Sequence, residues 1–186
     1  MMVPKTKFID EELAYTGAEL RPHWILTKTS LSGDAIVSWV GPCDVRPDCL
    51  VDIRDRIAAD GIRAEKMLHF LVEHFACNIF AITALQRLLV CVTAETLLAH
   101  GASGIRRNGD DLFVGQRKLS VSVATCSPVS GLIHLGLNIT ANNAPVPTAT
   151  LAELSIAPRP FALAVMDAYA QEVRSILDAA TRVSPR

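Results

Sequence analysis

The chain has 186 residues, half of them apolar, which suffices for one continuous core in a single domain spanning residues 1–186. Its 18 basic and 19 acidic side chains leave a formal charge of −1. That balance excludes the positive field that draws a protein to phosphate backbones, and aromatic residues at 5% leave few rings for stacking bases, so nucleic acid is not an expected partner.

The N-terminal stretch MMVPKTKFIDEEL lacks the apolar core of a signal peptide, and no run approaches the roughly 20 apolar residues that span a bilayer. The expectation is a cytoplasmic protein without a membrane partner. Five cysteines without a C-x-x-C pair suit free thiols in a reducing compartment. From Trp24 to Gly41, WILTKTSLSGDAIVSWVG reads as two β-rich segments joined by SLSGD, a predicted hairpin. GPCDVRPD follows as an irregular loop, because Gly41, Pro42 and Pro47 resist regular structure. A thiol at Cys43 or Cys49 near Arg46 is one reading of this loop, since a cation lowers a thiol pKa. The stronger one is that Arg46 binds an anionic group.

AEKMLHFLVEHF, residues 64–75, carries Met67, Leu68, Leu71, Val72 and Phe75 at the spacing of a helix stripe. On a helix, His69 and Glu73 share a face and His74 points away, so no metal site is expected there. A second helix, apolar nearly all round, runs from about Ile82 to Ala99 and ends at Gly101, a natural left-handed cap. Then IRRNGDDLFVG, QRKLSVSVATC and SGLIHLGLNIT switch to period two, a three-stranded meander with turns at Gly115-Gln116 and Ser127-Pro128. A proline-containing connection, residues 141–160, leads to a last helix from Phe161 to about Thr181, with Val165, Tyr169, Val173, Ile176 and Ala180 on its buried side.

Within the meander, Lys118, Ser120 and Ser122 alternate with Leu119, Val121 and Val123, and His134, Gly136 and Asn138 alternate with Ile133, Leu135, Leu137 and Ile139. The two polar rows are expected to line up on one sheet face, give or take two residues of register. Such a face is either solvated or a ligand site, and its serine, histidine and asparagine supply donors and acceptors with room for a small molecule. The expected fold class is α+β: a mixed, largely antiparallel sheet with helices packed on one face and a ligand cleft on the other.

The stretch LLVCVTAETLLAHGASGIRRNGDDLFVGQRKLSVSVATCSPVSGLIHLGLNIT resembles the catalytic core of biotin and lipoate protein ligases, in which a helix precedes an Asn-Asp-Leu strand, a turn, Arg-Lys and a strand containing Gly-Asn. The resemblance implies that Lys118 contacts an acid and its adenylate phosphate, that Asp111 stands for the motif's aspartate, and that ATP is the cofactor if the ligase reading holds. Asp110 replaces the motif's asparagine, Val121 stands where glycine is usual, and no Gly-Arg-rich loop is present. Through His23-Trp24, GPCDVRPD, MLHFLVEHF, QRLLV, GDDLFV and KLSVSVATCSPVSGLIHLGLN the whole chain resembles a prokaryotic family known as a domain of unknown function with the ligase-like fold. Three functions are carried forward: a small-molecule carboxylate or acyl ligase or transferase, a non-catalytic metabolite binder on the same fold, and a homo-oligomerising scaffold. For the first two, the expected partner is an anionic small molecule. Lys118 is the expected catalytic cation, and Arg46, Asp110, Asp111, Ser120, Ser122, His134 and Asn138 are the expected ligand-binding residues.

Overall fold

The computed structural model describes residues 1–58, 61–140 and 147–184. A five-stranded sheet is built from β1 (Lys5–Phe8), β2 (Ala35–Val45), β3 (Ile62–Phe75), β7 (Ser120–Cys126) and β8 (Ser130–Thr140), in the spatial order β1-β2-β3-β8-β7. Only the β1–β2 pair is parallel. A second sheet of three short strands, β4 (Ile105–Asn108), β5 (Asp111–Val114) and β6 (Arg117–Lys118), stands beside it. The α+β class with a mixed, largely antiparallel sheet is the observed one.

Two long helices cover one face. In α3 (Ile79–Ala99) the Asn78 side chain accepts the Ala81 amide at 2.8 Å, a standard N-cap, and Gly101 takes the left-handed φ of 87° just past the end. By length and composition α3 could cross a bilayer, yet it packs Ile82, Leu89, Val90 and Leu97 fully into the core. The last helix, α4 (Pro158–Thr181), starts on prolines in its first turn and buries Phe161, Val165, Tyr169 and Val173. Ile176 and Ala180, expected on the buried side, are exposed, because the helix runs past the edge of the core.

The segment predicted as a helix over 64–75 is the central strand β3. Leu68, Phe70 and Val72 enter the cluster under α3 and α4, while Met67 and Leu71 enter a second cluster on the opposite face. Both faces are buried, so the alternation that marks a half-exposed strand is erased and the apolar run mimics a helix stripe. The second cluster lies on the face away from α3 and α4. Residues 9–31 fold over the far side and seat Ile9, Tyr15, Leu20 and Ile25 against Val37 and Trp39.

The predicted hairpin over 24–41 is a short helix, α1 (Trp24–Thr29), followed by β2. Its start is held by Glu73, whose carboxylate accepts the His23 amide (3.0 and 3.2 Å) and the Ser130 hydroxyl (2.7 Å). The predicted loop GPCDVRPD is mostly strand: β2 continues to Val45 through a register shift between Gly41 and Cys43. Gly41 is required because a Cβ there would overlap the Leu13 carbonyl as the covering segment crosses β2. A single 3-10 turn over Pro47–Cys49 and the helix α2 (Ile53–Ala58) follow.

The predicted meander divides at Leu119. Its first half closes into the small sheet and its second half joins the large one. Residues 141–146 of the predicted connection lie outside the described residues.

Candidate functional site

A cavity of about 760 Å³ lies over the large sheet, lined by residues of β2, β3, β7 and β8, by α2 and the 3-10 turn, and by the small sheet. Met67, Val121 and Val123 give it an apolar floor, Tyr15 and His134 extend that floor, and Lys118, Asp110 and Asp111 come from the small sheet. Asn138, Arg54 and Arg63 complete the polar wall.

Lys118 is fixed through both backbone and side chain. Its amide donates to Pro147 O (3.0 Å) and its carbonyl accepts from Ala149 (2.9 Å) and from Asn138 Nδ2 (3.3 Å). Its ammonium lies 2.8 Å from Asp111 Oδ2. Burial pushes the Asp111 carboxyl above its ordinary range, and Lys118, by hydrogen bond and charge, offsets part of that rise. Asp110 plays a different part. Its carboxylate meets Arg87 Nη1 at 2.6 Å and accepts from Gln86 Nε2 at 3.1 Å, tying the turn before β5 to α3.

The expected alignment of polar rows does not occur. Val121 pairs with Gly136 and Val123 with His134, while Ser120 pairs with Leu137 and Ser122 with Leu135. An offset of one residue sends the serines to the helix-covered face. Ser120 is fully buried there and accepts the Leu112 amide at 2.8 Å. Ser122 accepts from Gln86 Nε2 at 2.8 Å and still reaches the cavity wall. Arg46 does not line the cavity: its guanidinium is exposed and paired with Asp48 at 2.7 Å. Cys43 is buried, and burial with the nearby Asp44 and Glu19 carboxylates pushes its thiol up to about 12, the reverse of an activated nucleophile.

The structure thus brings Lys118, Asp110, Asp111, Ser122, His134 and Asn138 together and leaves Arg46 and Ser120 out. It also reveals residues that sequence reasoning missed. Tyr15 stacks on His134 with ring centroids 3.5 Å apart and planes 5° from parallel. His69 Nδ1 lies 3.1 Å from His134 Nε2, and His69 Nε2 lies 3.1 Å from Gly41 O. Burial holds His69 down at about 4 and, together with the neighbouring His69, holds His134 well below its ordinary value, so both imidazoles are neutral. Strand periodicity over 67–73 would have put His69 on one face with Met67 and Leu71, but only the pairing of β3 with β8 brings it to His134, and Tyr15 sits in an irregular segment with no signal to read. Helical angles do not describe HFLVEH, since β3 is a strand; His69 and His74 point to opposite sheet faces because they are five positions apart, an odd offset. Among the described residues no group of three or more His, Cys, Asp or Glu side chains is arranged to hold a metal ion.

A family model described as "Domain of unknown function (DUF366)" matches residues 4–184. An uncharacterised protein of Methanocaldococcus jannaschii is 33% identical over 142 residues, covering 74% of this chain and 64% of that protein, so the match spans under two thirds of the relative's length. Among solved structures, a protein of unknown function from Pyrococcus horikoshi superposes with a TM-score of 0.91 at 32% identity, over 98% of this chain and 100% of that one. A putative lipoate protein ligase from T. acidophilum with bound lipoic acid gives 0.62 at 12% identity (94% and 86% covered). A biotin protein ligase from Aquifex aeolicus in complex with biotin and ATP gives 0.60 at 13% (91% and 70%). The fold is that of the biotin and lipoate protein ligases.

Proposed function

This chain belongs to the DUF366 family, and we propose that it binds an elongated small carboxylic acid and activates it as a ligase or acyltransferase in the cytoplasm. The observation that carries the reading is Lys118, a cation fixed in the wall of a cavity whose floor is Met67, Val121 and Val123. An ammonium at one end and apolar side chains beyond it suit a carboxylate head and an aliphatic tail. The ligase-like fold supports the same class of ligand, since the neighbours in complex hold lipoic acid or biotin. Lys118 is then the group that stabilises negative charge as the acid is activated, and Asp111 is the counter-ion that the acid displaces.

ATP is the cosubstrate such activation calls for. Arg54, Arg63 and Lys118 provide positive charge in the wall, but Asp52, Asp55, Asp110 and Asp111 outnumber them. That excess of carboxylates opposes a bare triphosphate more than a singly charged acid, and it favours the second reading, a metabolite binder without nucleotide chemistry.

Calorimetry with octanoate, lipoate and biotin, each with and without magnesium ATP, tests both, together with pyrophosphate release. Binding that falls at least tenfold in Lys118→Ala supports the acid-binding reading, and pyrophosphate release dependent on both ATP and acid supports the ligase. Binding unaffected by Lys118→Ala removes the lysine from the site. Tight binding without turnover leaves the carrier.

A further inference from the structure

The buried imidazole pair under the cavity is not explained by a carboxylate head and an aliphatic tail alone. His69 and His134 stand on neighbouring strands, with Gly136 opposite His69 in the register. A Cβ at Gly136 would come within 2.9 Å of Met67 Cε, so the end of that side chain would have to shift. His134 is 3% exposed and lines the cavity.

The hydrogen bonds fix the tautomers. Gly41 O can only accept, so His69 Nε2 carries its proton and, in a neutral ring, His69 Nδ1 is a bare lone pair. That lone pair requires the proton of the contacting nitrogen, so His134 Nε2 donates to it. A neutral His134 then has an unprotonated Nδ1. Among the described residues this nitrogen has no hydrogen-bond partner, and it is not one of the sealed, unsatisfied atoms of the interior. It therefore opens to the cavity. The Tyr15 hydroxyl cannot satisfy it, because the Tyr15 ring lies parallel above the imidazole and the lone pair points within the imidazole plane.

We propose that His134 Nδ1 is a fixed hydrogen-bond acceptor in the cavity floor, with His69 as the positioning residue that sets its tautomer. The acid this cavity takes accordingly carries an uncharged O–H or N–H donor along its apolar part. The inference rests on the carboxylate reading above and adds the substrate class. A buried neutral acceptor strongly favours a ligand that supplies a donor and penalises one that leaves it unpaired. Burial also makes His134 a weak proton acceptor, which suits recognition more than general-base work. The acceptor stands opposite Val123, five residues along the chain from Lys118, so the two contacts are up to roughly 16 Å apart at about 3.3 Å per strand residue. A ligand touching both is elongated, with its donor far from the carboxylate.

The test compares octanoate with 8-hydroxyoctanoate and decanoate with 10-hydroxydecanoate by calorimetry, on wild type, His134→Phe and Lys118→Ala. At least one hydroxy acid should bind wild type about tenfold or more tightly than its parent acid. His134→Phe should bring that ratio to about one, and Lys118→Ala should weaken all that bind. Parent and hydroxy acids binding equally, with Lys118 still required, overturns this inference and leaves the carboxylate reading standing. Failure of all four acids to bind wild type overturns the carboxylate reading and this inference with it. Nitrogen-15 NMR of the ligand-free wild-type protein provides a check that needs no variant. It should find His134 protonated at Nε2 and bare at Nδ1, and His69→Phe should release that preference into a mixture. A proton on His134 Nδ1 in the wild type sinks the proposal.

Discussion

Lys118 Nζ and Asp111 Oδ2 are 2.8 Å apart in the cavity wall, with the two side chains 34% and 26% exposed. Of the two aspartates before the turn, Asp111 holds the lysine and Asp110 holds Arg87 instead. A ligand carboxylate must compete with Asp111 for the ammonium, and like charges so close repel. Asp111→Asn should therefore bind octanoate several-fold more tightly than wild type in calorimetry, and weaker binding would show that Asp111 is needed to aim the lysine.

The neutral imidazole pair makes stability depend on pH. His69 titrates at about 4 in the fold and near 6.5 in an unfolded chain. Between those values the unfolded state takes up a proton that the native state refuses, so stability is complete above about pH 6.5 and falls as pH drops toward 4. The gap corresponds to about 3 kcal/mol. His134 acts in the same direction, so His69→Gln should reduce this slope without abolishing it, as measured by urea unfolding from pH 7.5 to 4. An unchanged slope would mean that His69 is protonated in the native protein.

Asp34 is a second buried linkage with the opposite acid-base character. Burial alone would raise its carboxyl, but hydrogen bonds from His74 and from the Met2 and Phe75 amides outweigh burial and hold it below the ordinary range. His74 passes the contact on to Tyr169 of α4 at 3.0 Å. A depressed carboxyl stabilises the fold above its unfolded pKa, about 3.9, and that contribution is lost as pH falls through the lower folded value. Asp34→Asn should cost about 1–3 kcal/mol at pH 7, with the difference from wild type shrinking on acidification below about 4. Denaturation at pH 7 and pH 3 reads this directly.

Gly41→Ala should destabilise the protein by more than about 2 kcal/mol. The added methyl meets the Leu13 carbonyl, which also accepts the Trp39 indole N–H at 2.9 Å. The covering segment that carries Tyr15 would have to lift, so acid binding should weaken together with the urea midpoint. A variant as stable as wild type would show that the segment adjusts freely.

Arg46→Ala should leave affinity for octanoate and the urea midpoint unchanged, because the guanidinium is exposed and paired locally with Asp48. A tenfold loss in calorimetry would show that Arg46 itself reaches the ligand, as its neighbours Cys49 and Asp52 reach the cavity wall.

The two long helices were legible in the amino-acid sequence, because α3 and α4 carry long apolar patterns, and so was the turn before Lys118, because turn chemistry at Gly115 is local; the turn at Gly109, which splits IRRNGDDLFVG into β4 and β5, was read as continuous strand. The ligase-like fold could be read in the order of helix, aspartates, turn and lysine. The identity of β3 came from long-range packing, since a strand buried on both faces loses its period of two and MLHFLV spells either element. The register of β7 on β8 has the same origin: an offset of one residue exchanges Ser120 and Ser122 for Val121 and Val123 in the cavity floor. Side-chain alternation gives the two rows of each strand, but only pairing chooses which row meets which. The partners of His134 were likewise set in three dimensions, because Tyr15 and His69 lie 119 and 65 residues away along the chain and are brought to it only by the covering segment and by β3.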